Sequence, residues 1–110
     1  MTKFINLTPH VLNIHDGGTI VNVPPSGHVA RIKVTRIPHR KIQGVTVWAT
    51  QKGPLEGLEN LVVDGDDVLV TSLAAKEEVA KAFPNNLVTS PGTLLRDQNG
   101  QPLGCDGLDA

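Results

Sequence analysis

The chain has 110 residues and a mass of 11.7 kDa, enough for one modest hydrophobic core but not for two. Hydrophobic residues make up 39%, with two Phe, one Trp and no Tyr, so aliphatic side chains must build that core. The formal net charge of −1 excludes a protein that coats nucleic acid through overall positive charge. We expect a single globular domain over residues 1–110, with a loose tail from about residue 106.

Aliphatic runs separated by turn residues predict short strands through the first half of the chain. Asp16-Gly17-Gly18 predicts a hairpin turn, Pro38 a break, and residues 53–60 a loop. The strands predicted here are 4–7, 11–14, 19–23, 29–35 and 45–49.

The second half contains the one segment with helical character, residues 73–83, which we expect Ser72 to cap. Asn99-Gly100 predicts a type I′ turn. Around them we expect strands at 68–70, 87–88, 93–96 and 101–103. The predicted fold is α+β: mostly antiparallel β, forming a small sheet or a partly open barrel, with one short helix near residues 73–83.

Charge is divided unevenly between the two halves of the chain. Residues 1–53 carry a net charge of +6, and residues 54–110 carry −7. The halves could screen each other or pair across a subunit interface, or the basic half could form a local surface that receives an anion. The sequence leaves these alternatives open.

Residues that would identify an enzyme or a metalloprotein are scarce. The four histidines lack metal-ligand spacing, and the acidic turn around Asp64 lacks the closing Glu of a calcium loop. Cys105, the single cysteine, excludes an internal disulfide framework. There is no GxSxG, GxGxxG or GxxxxGK[ST] motif. We expect no catalytic residues, no metal and no cofactor, although enzymatic activity stays open.

The basic segment from Arg31 to Lys41 is the strongest binding candidate, because it places five permanent cations and His39 within eleven residues. Arginine suits phosphate and carboxylate groups. Extended nucleic acid would require exposed stacking aromatics, whereas we expect the three aromatic residues to be largely buried. A compact anion therefore fits better, and an ordinary solvated strand and loop is the alternative.

Four short motifs occur in order along the chain: Leu7-Thr8-Pro9-His10; Pro25-Ser26-Gly27 followed by Val29-Ala30-Arg31; Ser90-Pro91-Gly92-Thr93-Leu94 with Arg96-Asp97; and Gly104-Cys105. The pattern resembles a group of small proteins encoded by phages, prophages and actinobacterial genomes. The resemblance covers nearly the whole chain except residues 36–60. It implies a phage origin rather than a mechanism, because the group has no settled activity.

The motifs and the basic segment together define the expected ligand site. Its arginines would bind anionic oxygens, while its hydroxyl and imidazole groups would orient the ligand. The candidate residues are Thr8, His10, Ser26, Arg31, Lys33, Arg36, Ser90, Arg96 and Asp97. The alternative is structural: Thr8-Pro9 would start a strand and Arg96-Asp97 would brace a hairpin.

The sequence thus predicts a non-enzymatic phage accessory protein that sequesters a small anionic, nucleotide-like ligand, for instance a host-defence signal. Two alternatives remain: a hydrolase or lyase acting on such a nucleotide with His10 or His39 as base, and an inhibitor or structural phage protein that docks through residues 31–41. The N-terminus resembles no signal peptide, and no apolar run approaches the ~20 residues of a membrane span. We expect a homo-oligomer in the cytoplasm, that of the host for a phage protein, with no membrane or extended nucleic-acid partner.

Overall fold

The computed structural model describes residues 2–110 as a small β-rich body from which one long hairpin projects. Within this range ten strands and one seven-residue helix form, so the α+β class is confirmed. The strands are β1 (Phe4–Asn6), β2 (Leu12–Asp16), β3 (Thr19–Val23), β4 (Arg31–Ile42), β5 (Val45–Glu56), β6 (Val68–Val70), β7 (Leu87–Pro91), β8 (Leu94–Arg96), β9 (Pro102–Cys105) and β10 (Leu108–Asp109).

Two four-stranded sheets form the body. The first has the order β1-β6-β7-β10, with parallel pairs β1/β6 and β6/β7 and an antiparallel β10. The second has the order β3-β2-β9-β8, with β2 and β9 parallel. Both sheets are therefore mixed rather than purely antiparallel, and neither closes into the partly open barrel that was one expectation. The cause is long-range: β1 pairs with a strand more than sixty residues away, which no local pattern indicates.

The helix α1 (Lys76–Ala82) connects β6 to β7 and packs on β7. It is shorter than the expected 73–83, because Leu73 is 76% exposed and lies in a preceding turn. Ser72 does not cap the helix: the N-cap is Ala75, which makes no side-chain cap bond. The Ser72 hydroxyl instead accepts a 3.4 Å hydrogen bond from the Ala75 N–H within that turn.

The core consists of two aliphatic clusters, one for each sheet, so the expectation of a single core is wrong. The larger lies between the first sheet and α1 and includes Leu7, Leu69 and Val79, all at most 1% exposed. The smaller joins Ile14, Val23 and Cys105 under the second sheet. The tail forms one edge of the first sheet, since Leu108–Asp109 pairs with β7 instead of being loose.

The projecting hairpin, β4 and β5, is called the arm (residues 31–56). Its strands meet at a two-residue turn, where Gln43 and Gly44 have φ values of 51° and 80°, as a type I′ turn requires. The predicted break at Pro38 is wrong, because β4 runs through it to Ile42, with a bulge at His39. Proline is tolerated there because the outer edge of a two-stranded ribbon has no neighbouring strand that requires its N–H. The expected loop at residues 53–60 begins only at Gly57, since β5 continues to Glu56.

The arm makes the molecule elongated. The Cα radius of gyration is 17.1 Å, against about 13 Å for a compact domain of this length. Its extents are 54 × 40 × 21 Å. Much of the arm therefore projects away from the body.

Candidate functional site

The arm has two faces of different chemistry. Paired residues share a face and faces alternate along each strand, so the register Arg36↔Thr50 and Pro38↔Trp48 puts these residues on one side. We call this side the basic face; it comprises Val34, Arg36, Pro38, Lys41, Thr46, Trp48, Thr50 and Lys52. The opposite side is the apolar face, comprising Ile37, Ile42, Val45, Val47 and Ala49, with Arg40 beside Val47.

An arginine and an aromatic ring stack on the basic face. The guanidinium carbon of Arg36 lies 4.5 Å from the centroid of the Trp48 ring, a cation–π contact. Trp48 is 46% exposed and Phe4 44%, so the expectation that the aromatics are largely buried is wrong for these two. A ribbon with no sheet packed on either side leaves Trp48 open to a ligand.

A cleft of about 420 Å³, which we call the basic cleft, lies at the foot of the basic face, between the arm and the turn before α1. Arg31 and Lys52 contribute its cations and Ser72 its hydroxyl. None of the arm's six cations forms an ion pair with a described residue; the ion pairs of the described chain join Lys81 to Glu77 and Glu78. Arg31 and Lys52 therefore have no ion-pair partner among the described residues, and Arg31 lies opposite Glu56 in the register of the arm.

Lys52 and Trp48 are site residues that the sequence reasoning missed. Lys52 reaches the cleft only because it pairs with Val34 across the arm. The one sequence signal was Gln43-Gly44, a Gly-containing turn between two β-prone runs, which would have predicted a hairpin and brought the two strands together.

The expected site residues do not form one site. Arg31, Lys33 and Arg36 lie on the arm, with Lys33 opposite the bulge at Gly53-Pro54. Ser90 is buried in β7 and pairs with Asp109. The remaining residues make local hydrogen bonds described next.

Thr8 and Ser26 belong to the backbone network around Asn6, which is 1% exposed. The Asn6 amide donates to the carbonyls of His10 at 2.7 Å and Val23 at 3.1 Å, and its oxygen accepts from the Thr8 N–H and hydroxyl. The Ser26 N–H donates to the Asn6 carbonyl, while its hydroxyl bonds His28. The LTPH motif therefore has a structural role as a turn.

Arg96 and Asp97 brace the hairpin between β8 and β9. Arg96 Nη1 donates to the Gly100 carbonyl at 2.8 Å, and one Asp97 carboxylate oxygen accepts from the N–H groups of Asn99 and Gln101. The turn is not type I′, because only Gly100 has positive φ and its N–H bonds the Asp97 carbonyl. It is a type I turn followed by a left-handed glycine.

Three of the motifs do converge, around a second cleft of about 370 Å³. We call it the apolar cleft. His10, Pro91-Gly92 and Gly104-Cys105 line it together with exposed aliphatic side chains, and no Lys or Arg does. An apolar lining without a cation does not suit a phosphate, and the motif residues at this cleft lie apart from the basic residues of the arm.

In residues 2–110, no group of three or more His, Cys, Asp or Glu side chains is placed to hold a metal ion. The acidic turn is tied internally: the Asp64 N–H donates to Asp67 Oδ2, and Asn86 donates to the carbonyls of both residues. Nor does any helix in the same range have the length and apolar character needed to cross a membrane.

Comparisons with protein-family models, with curated proteins and with solved structures give no match.

Proposed function

We propose that the protein binds and sequesters a small anionic, nucleotide-like ligand on the basic face of the arm. One observation carries the proposal. The exposed Trp48, which Arg36 contacts, lies on the same face of the arm as the cleft that Lys52 and Arg31 line. A nucleotide combines a stacking base with a charged phosphate, and this surface offers a partner for each.

The spacing of the two partners suits a nucleotide with more than one phosphate. The Pro38/Trp48 pair lies four β4 residues from the Val34/Lys52 pair, which corresponds to about 13 Å at ~3.3 Å per residue. A base on Trp48 would thus place a di- or oligophosphate beside Lys52 and Arg31. Stacking on one aromatic ring contributes about 1–3 kcal/mol, so the cations must supply much of the remaining affinity.

The residues that line the basic cleft favour binding of the nucleotide without chemical conversion over catalysis. Its described residues include Ser72 but no carboxylate, thiol or imidazole that could act as a general base. His10 lies at the apolar cleft and His39 at the arm's bulge. Chromatography of the ligand after incubation discriminates the two classes: a sequestering protein releases it intact, whereas a hydrolase or lyase releases products.

Calorimetry with a panel of cyclic and ADP-ribose-type nucleotides tests the proposal. We expect at least one to bind with Kd below about 1 µM, and Arg31→Ala and Lys52→Ala to weaken it at least about tenfold. Arg40→Ala is the matched control, because it removes a cation from the opposite face. A panel without a binder would sink the proposal.

The biological setting that we propose is that of a phage accessory protein acting in the host cytoplasm, where capture of a signalling nucleotide would blunt host defence. The resemblance of the motifs supports the phage origin, and the free cations of the basic face support capture of the nucleotide.

A protein inhibitor or structural phage protein docking through residues 31–41 is the second candidate. The exposure of both arm faces favours it. A pull-down from host lysate in which Arg36→Glu or Arg40→Glu loses a defined partner would support this candidate over nucleotide capture.

A further inference from the structure

The apolar face of the arm exposes side chains that a monomer would normally bury. Val45 is 65% exposed, Ile42 46%, Ile37 41% and Val47 37%. They lie consecutively along one side of the ribbon, and the register shows Ile42 paired with Val45 and Ile37 with Ala49. Contiguous apolar patches of this kind mark interaction surfaces.

The amount of exposed surface sets an upper limit on the area that such an interaction buries. The chain exposes 7555 Å², whereas a compact monomer of this mass exposes about 5,900 Å². The excess is roughly 1,700 Å² per chain, comparable with what each subunit buries in an obligate dimer. A small ligand could not cover it.

The apolar cleft provides a complementary surface on the body. Val11, Leu94 and Leu103 line it and are 53%, 49% and 46% exposed. No residue of the chain's own arm lines it, so the arm does not fill it within one subunit. Every copy of the chain therefore has both the apolar face of the arm and an apolar cleft that can receive it.

Charge also favours a second copy as the occupant. The arm (residues 31–56) carries six cations and Glu56, a net charge of +5, and the rest of the chain carries −6. Arg40 lies beside Val47 on the apolar face, and Asp106 follows Cys105, a residue that lines the cleft. These net charges, opposite in sign and similar in size, favour the approach of one chain's arm to another chain's body.

We propose that the apolar face of the arm docks into the apolar cleft of a second copy of this chain. If two copies each dock their arm into the other's cleft, a closed dimer forms. If each copy docks its arm into the cleft of the next copy, a closed ring forms. The basic face, on the other side of the ribbon, stays open in either arrangement. This assigns the converging motifs of the apolar cleft to assembly.

Sedimentation of the full chain with two matched variants tests the proposal. Val45→Glu introduces a carboxylate on the apolar face, and Thr46→Glu introduces the same charge on the adjacent residue of the basic face. We expect the unmodified chain and Thr46→Glu to be oligomeric at micromolar concentration, and Val45→Glu to raise the dissociation constant at least about 100-fold. A monomeric unmodified chain would overturn the proposal.

Leu103→Glu introduces a carboxylate in the apolar cleft. Mixing it with Val45→Glu tests whether both variants still fold, because only folded chains can assemble. One variant lacks a docking arm and the other a receptive cleft, so a mixture of Val45→Glu and Leu103→Glu retains one intact arm–cleft pair. We expect each alone to be monomeric and the mixture to form a 1:1 heterodimer. If Leu103→Glu alone remains oligomeric, the arms pack on one another and not in the cleft. If the mixture stays monomeric, the assignment of the cleft is also wrong.

Discussion

Arg36 lies over the ring of Trp48 at 4.5 Å, and this contact joins the charge of one arm strand to the aromatic surface of the other. Because Trp48 is the only tryptophan, its fluorescence reports directly on the basic face. We expect Trp48→Leu to weaken nucleotide binding about tenfold through the loss of stacking, whereas Trp48→Phe retains most of the affinity. Quenching of Trp48 fluorescence on titration should give the same Kd as calorimetry. Equal affinity in all three proteins would contradict the assigned ligand position.

The two motif arginines should differ in their effect on binding. Arg31 lines the basic cleft, while Arg96 bonds the Gly100 carbonyl on another part of the body. We expect Arg31→Ala to weaken nucleotide binding and Arg96→Ala to leave it unchanged, with a cost to folding stability of about 1 kcal/mol. Calorimetry and urea unfolding measure the two effects. Weaker binding by Arg96→Ala would mean that the motif residues share the ligand site after all.

Asn6 should be critical for stability, because it satisfies two backbone carbonyls and the Thr8 N–H in a buried position. Asn6→Ala leaves these groups without their partner, and we expect a loss of about 3 kcal/mol in the free energy of unfolding. Thr8→Val is the control, since it removes the hydroxyl but keeps the Thr8 N–H bond to Asn6, and should cost about 1 kcal/mol. Urea unfolding of the three proteins measures the difference, and equal stability would refute the role assigned to Asn6.

Gly104 should tolerate no side chain. Its φ of +146° disfavours L-residues, and a Cβ there would overlap the Asn13 carbonyl of the adjacent strand. We expect Gly104→Ala to destabilise the protein by about 3 kcal/mol. Gly65→Ala is the control, because nothing lies within 4 Å of its added Cβ and its φ is ordinary. Thermal unfolding should separate the two variants clearly, and a Gly104→Ala protein as stable as the control would contradict this close packing.

Local signals in the sequence predicted local structure well. Asp16-Gly17-Gly18 predicts a hairpin, and Asp16 indeed pairs with Thr19 across Gly17 and Gly18, both with positive φ. The strand at 68–70 agrees with β6 to the residue. These features depend on residues adjacent in the chain, where turn chemistry and aliphatic runs decide the outcome.

Features that depend on distant residues were not predictable. The parallel pairing of Phe4 with Val68 and of Ile14 with Cys105 involves no local pattern. Pro38 suggested a break because it lacks an N–H, yet an isolated ribbon needs no partner on its outer edge. The basic segment was predicted to be a ligand surface, but the position of Lys52 beside it depends on the register of the arm.

The parallel pairing of β2 with β9 has a consequence for how the protein matures during synthesis. The arm is a local hairpin, so it can form as soon as residue 56 leaves the ribosome, whereas the cleft waits for Cys105 to pair with Ile14. In the assembly that we propose, a nascent chain therefore exposes its arm before its own cleft has formed. Chains made together on one messenger would then meet folded copies before their own clefts form, so translation rate would affect this assembly.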